Sequence, residues 1–290
     1  MTILRSFKLR IALPLFGIIL LAVCSLACLQ TDPANKALHI NPKGNKIKDR
    51  IGVPPGYSRV PEAEGSFAAY LRNISLKPDG TLVHYFDGSV KDNNNIYVAV
   101  IDMPIGNKNL QQCADVIMHQ RAQYLFDTHQ QNKIHFTLTN GFRADYSKWE
   151  EGYRIKITGN NTEWEKATSP DSSLASFAAY MDYIYDYCGT LSLAKELKSI
   201  PYRDLQPGDV FIKGGSPGHA ELVMDVAQNS KGKKIYLLAQ GYMPAQDMQL
   251  LANPQQTQPG PWYELDIAND KIITPEWTFN SAQLMRFEND

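Results

Sequence analysis

The sequence predicts an α+β domain in which an antiparallel sheet packs against a helix that begins at a cysteine. Three observations predict it. Residues 204–226, DLQPGDVFIKGGSPGHAELVMDV, read as turn, strand, glycine-rich loop, strand. A further turn at Lys231-Gly232-Lys233 leads into the apolar run KIYLLAQ, ending at Gln240, and connections this short join antiparallel neighbours. Residues 110–126, LQQCADVIMHQRAQYLF, carry apolar side chains at three- and four-residue spacing without proline or glycine, the pattern of a half-buried helix.

The remaining elements follow in order. Pro54-Pro55-Gly56 breaks the chain before a short helix containing Phe67, Tyr70 and Leu71. A Pro78-Asp79-Gly80 turn precedes TLVHYF, which alternates as a strand does, and IYVAVIDM at 96–103 is the strongest strand signal of the N-terminal half. Asn109 is the expected N-cap of the 110–126 helix. Residues 135–157 are rich in strand formers and aromatics, with a hairpin turn at Asn140-Gly141. A polar loop is expected over 160–170, then a second helix over 172–187 that stops at Cys188-Gly189. WYELDI, EWTFN and LMRF supply the last strand candidates.

The chain has 290 residues, 43% of them hydrophobic and 20% charged, with a net charge of -1. Nucleic-acid binding needs a basic excess that this composition lacks. The first thirty residues differ from the rest. Arg5, Lys8 and Arg10 precede an uncharged apolar run from Ile11 to Ala27, the pattern of a secretory leader. Cys28, after Ser25-Leu26-Ala27, is the favoured lipid-attachment site, and Cys24 is the alternative. The expected organisation is a leader at 1–28, a tether at 29–50 and one domain at 51–290, exported to a bacterial cell envelope and held there by a lipid or N-terminal anchor.

Removing the leader leaves Cys113 and Cys188. In an oxidising compartment they are candidates for a disulfide. Cys113 has a second reading as a nucleophile, because it opens a helix whose free N–H groups and dipole favour a thiolate, and a third as a small buried residue. His219 follows glycines and opens a strand, where a base is well held, though a structural histidine fits there too. Gln240 ends the next strand and is placed to orient the imidazole. Cysteine, histidine and an orienting polar group are what thiol catalysis requires. Tyr146, Trp149, Tyr153, Arg154, Trp262 and Tyr263 are candidate cleft walls, with a packed aromatic cluster as the other meaning. No metal-ligand spacing and no cofactor motif is present.

The order Cys113, Pro207-Gly208-Asp209, Gly218-His219, Gln240 resembles the NlpC/P60 superfamily of papain-like cell-wall cysteine peptidases and amidases. The resemblance implies a papain-like sheet packed against the cysteine helix, with an aromatic-rich hairpin and a second helix inserted. It also implies cleavage of a peptide or amide bond by Cys113 and His219, with cell-wall peptides as candidate substrates. Ala114-Asp115 stands where the superfamily has Ser-Gly, and the gap from Cys113 to His219 is longer. Over most of its length the chain also resembles the bacterial family called domain of unknown function 4846, through PPGY, the QCAD helix, TNGF, GDVF with GHA, and AQGYMPAQ. The alternative function is a non-catalytic envelope protein that binds a peptide or glycan in an aromatic cleft.

Overall fold

A computed structural model describes residues 40–256 and 260–288. The expected leader, with both candidate lipidation cysteines, lies outside the described residues. Among those described, no helix is long and apolar enough to cross a membrane.

The helices are α1 (Ile47–Arg50), α2 (Phe67–Arg72), α3 (Cys113–Asp127), α4 (Tyr146–Glu150), α5 (Leu174–Tyr187) and α6 (Thr190–Glu196). The strands are β1 (Tyr57–Arg59), β2 (Tyr97–Val100), β3 (His135–Thr137), β4 (Arg143–Asp145), β5 (Tyr153–Thr158), β6 (Asn161–Lys166), β7 (Lys198–Ser199) and β8 (Val210–Lys213). They continue with β9 (His219–Asn229), β10 (Lys234–Gln240), β11 (Gln249–Leu251), β12 (Tyr263–Glu264), β13 (Lys271–Ile273), β14 (Thr278–Asn280) and β15 (Leu284–Arg286). The main sheet runs β2-β11-β10-β9-β8-β15-β7, with β1 added to β9 and β12 to β10. Its pairs are all antiparallel, as the short connections predict.

Both faces of this sheet are covered, which explains why β9 is buried along most of its length. Ala220, Leu222, Leu237 and Ala239 face the larger core, shared with α3 and α5. Val223, Tyr236 and Leu238 face a smaller core closed by Phe279 of β14 and Ile272 of β13. Side chains alternate along a strand, so His219 and Glu221 share the Val223 face, and Gln240 shares the Leu238 face. The pairing of β9 with β10 shifts at Leu237/Leu238, and such a bulge reverses the alternation. Asp225 is thereby turned to the other side, where it accepts hydrogen bonds from Arg59 Nε at 2.5 Å and Arg72 Nε at 2.8 Å.

Several expected elements differ. The 81–86 segment forms isolated bridges, His84 to Val90 and Tyr85 to Gln246, rather than a strand. The polar stretch after Asn160 is not a loop. Gly159, at φ 61°, turns the chain and β6 pairs with β5 along its whole length. The expected tether is described from residue 40, and from there it is folded. Ile40 bridges Ile51, Ile47 is buried, and Arg50 Nε donates to Gly44 O at 2.6 Å. Buried Ile47, with Arg50 donating to Asp79 Oδ1 at 3.2 Å and to Lys77 O at 3.3 Å, holds this segment on the domain.

Candidate active site

The N-terminus of α3 starts at Cys113, with Gln112 as its cap residue. Asp115 Oδ2 accepts from Gln112 N at 2.9 Å, satisfying one donor of the first turn. The expected cap, Asn109, does other work: its Oδ1 accepts from Ala245 N at 2.8 Å and pins the loop after β10 to the helix entry. The first intrahelical bond runs from Val116 N to Gln112 O, so the amides of Cys113 and Ala114 have no acceptor within the helix.

Helix α3 covers one face of the sheet, yet His219 projects from the other. They meet because the helix end passes the strand tips, where β9 begins and β10 has just ended. Gly241 makes this approach possible. A Cβ there would lie 2.7 Å from Val116 Cγ1 and 3.1 Å from Gln112 O, so only glycine admits the helix this closely. Gly218 is similarly confined by the carbonyls of Gly215 and Lys213 and by Thr190 Oγ1, which sets the entry of His219.

Cys113 and His219 line the same cleft, close enough for the thiol to act on the titration of the imidazole. Cys113 is 8% exposed and His219 is 1% exposed. His219 Nε2 lies 2.8 Å from Gln240 Oε1. Gln240 Nε2 donates to Glu276 Oε2 at 2.6 Å, and Lys91 Nζ binds both oxygens of Glu276 at 2.8 and 2.9 Å. This relay assigns the tautomer. A carboxylate held by Lys91 takes the amide N–H of Gln240, so Oε1 must face the ring as an acceptor and Nε2 of His219 carries a proton. Nδ1 is then the nitrogen left for Cys113. All three residues expected from the sequence therefore share one network.

Glu221 joins them, and no sequence signal singled it out. It is two residues beyond His219 on the same strand face, fully buried, with Oε1 3.5 Å from His219 Nε2. Thr274 Oγ1 donates to the same oxygen at 2.7 Å. Burial works to lower the pKa of His219, but hydrogen bonds to Cys113 and Glu221 and their charges override it, raising the ring to about 10. Tyr242 and Trp277 pack on the imidazole at centroid distances of 5.0 and 5.4 Å.

The pair opens into a cleft of about 480 Å³, bounded by Leu110, Tyr185, the 215–218 loop, Tyr242 and Trp277. Cys188 and Thr190 lie on its wall. Both cysteines are free. Cys188 Sγ donates to Thr137 O at 3.4 Å, and burial pushes its thiol up to about 12. Asp115 and Asp186 also line the cleft, with no lysine or arginine among the described lining residues. Burial pushes Asp115 up to about 7, against the pull of the Gln112 N–H.

The six residues expected as cleft walls lie elsewhere. Tyr146 and Trp149 are buried among Phe177, Tyr180 and Tyr183. Arg154 stacks on Trp149 at 4.0 Å, and Tyr153 packs under Lys148 and Lys166. Trp262 Nε1 donates to Gly52 O at 2.9 Å, while Tyr263 OH donates to Ala252 O at 2.7 Å and its ring stacks on Tyr236. Tyr146, Trp149, Trp262 and Tyr263 close cores, and the aromatic walls of the cleft are Tyr185, Tyr242 and Trp277 instead. Among the described residues, no group of three or more His, Cys, Asp or Glu side chains is placed to hold a metal ion.

A family model described as domain of unknown function 4846 matches residues 47–286. The chain belongs to that family. No curated protein and no solved structure matches it. The domain of unknown function 4846 match spans every residue of the Cys113–His219–Gln240–Glu276–Lys91 network.

Proposed function

We propose that this protein is a thiol hydrolase of papain-like type, acting on a peptide or amide bond. The observation that carries the reading is the meeting in one cleft of a cysteine at a helix N-terminus and a histidine whose far ring nitrogen is held by a relayed glutamine. The Cys113 thiolate attacks the carbonyl carbon, forming a C–S bond while the π electrons move to oxygen. The free amide of Cys113 supports that oxyanion. Collapse expels the amine, which takes the proton from His219 Nδ1, and leaves a thioester. Water then attacks the thioester as His219 takes its proton, releasing the acid and restoring the thiol. Tyr242 and Trp277 shield the ring from solvent on this path.

The absence of lysine and arginine from the described cleft lining, beside Asp115 and Asp186, favours neutral or cationic groups near the scissile bond. Cell-wall peptides bearing a diamino acid fit that requirement. An exported, lipid-anchored location is proposed from the leader's pattern alone.

The test is hydrolysis of a panel of synthetic peptides, read as product masses. It contains cell-wall stem peptides with a diamino acid, matched peptides with glutamate in its place, and ordinary peptides. Cleavage is expected, faster for the cationic than for the acidic member of each pair. Binding of any panel peptide without cleavage of any would overturn the reading in favour of a non-catalytic envelope module.

A further inference from the structure

Glu221 is a carboxylate at zero exposure on the smaller-core face of β9, and it belongs to no step described above. Among the described residues, His219 is the basic group within ion-pair distance of it, a cation when both ring nitrogens are protonated. Its Oε2 has no hydrogen-bond partner among those residues. A buried charge facing no cation is strongly destabilising, and pairing it relieves much of that penalty. Thr274 Oγ1 fixes Oε1 toward His219 Nε2, and strand geometry sends both side chains to one face. The carboxylate is thus built to face an imidazolium.

The groups around the ring come from several elements, and Lys213 of β8, the register partner of His219, places its Nζ over Trp277 at 5.9 Å. Cys113 comes from α3 and Glu221 from the histidine's own strand. From β10 comes the uncharged amide of Gln240, whose partner Glu276 is already paired with Lys91. The loops after β10 and before β14 bring Tyr242 and Trp277, and β14 brings Phe279. Gln240 therefore orients the ring, while the uncompensated charge comes from Glu221.

We propose that Glu221 is a positioning residue that shares the Nε2 proton of His219 with Gln240 and, by its charge, keeps the ring an imidazolium at rest. This rests on the thiol-hydrolase reading, and it deepens it: Cys113 would then stand as a preformed ion pair rather than wait for substrate to trigger proton transfer. The direction of the titration agrees, since the ring is raised by Cys113 and Glu221 together. A raised histidine keeps its charge, and the stability that charge brings, up to its folded pKa and loses both as pH rises through it. Removing the Glu221 charge must therefore move that loss to lower pH.

The test is the pH dependence of iodoacetamide alkylation at Cys113, resolved by peptide mass, in the wild type and in Glu221→Gln. Glutamine keeps the side chain's size and can still accept from Thr274. The alkaline step that marks loss of the imidazolium is expected to fall by at least about one pH unit in the variant. An unmoved step, with alkylation still dependent on His219, would overturn this role for Glu221 while leaving the hydrolase reading intact. Cys113 unreactive at every pH in the wild type would sink both. Imidazole NMR of the wild-type protein needs no variant: a His219 inflection near the ordinary value, about 6.5, would also overturn the proposal.

Discussion

Cys113→Ser is expected to reduce hydrolysis of any cleaved panel peptide by about a thousandfold or more, leaving its binding nearly unchanged. Serine preserves the shape at the start of α3 and still meets His219. Its hydroxyl, however, does not ionise near neutral pH, so the nucleophile is lost while the cleft remains. The substitution removes little buried surface, and the change in stability should stay within about 1 kcal/mol. Product formation under single turnover separates this from a binding defect. A variant that retains most of the wild-type rate would mean that Cys113 does not attack the carbonyl.

The largest effect on stability is expected at Asp225. It is fully buried and accepts from Arg59, Arg72 and the Val226 amide. It joins three segments, since Arg59 also binds Ile51 O and Arg72 binds Val60 O. Asp225→Ala leaves Arg59 without its carboxylate and Arg72 with only Glu62, at 3.4 Å. The expected cost is about 3–5 kcal/mol in denaturant unfolding, or roughly 6–20 °C in Tm for a domain of this size. A loss below about 1 kcal/mol would show that the arginines find other partners. Because β9 also carries His219 and Glu221, the same variant should lower activity at temperatures where the wild type is fully folded.

Local chemistry made the central strands legible. Pro207-Gly208-Asp209, the 214–218 glycine loop and Lys231-Gly232-Lys233 each punctuate the chain with residues that prefer turns, and β8, β9 and β10 lie where these signals put them. The helix from Cys113 and the histidine and glutamine at adjacent strand ends followed from the same signals. What was not legible depends on long-range packing. Tyr146 and Trp149 look identical in sequence whether they line a cleft or fill a core, and α4 and α5 decide between the two. Glu221 sits in AELVMDV, where alternation predicts a buried strand but says nothing of what a carboxylate faces. The part played by Gly241 appears only once α3 is docked on the strand ends. Trp277 and Glu276 reach the imidazole and Gln240 from a loop far along the chain.

The most direct measurement is the rate of iodoacetamide labelling at Cys113 and at Cys188 near neutral pH, in the wild type and in His219→Ala. Cys188 is an internal reference, because burial keeps its thiol protonated. Cys113 should react at least about tenfold faster than Cys188 in the wild type and lose most of that advantage in His219→Ala. Equal rates at the two cysteines, or a Cys113 rate indifferent to His219, would contradict the claim that these residues form a catalytic pair.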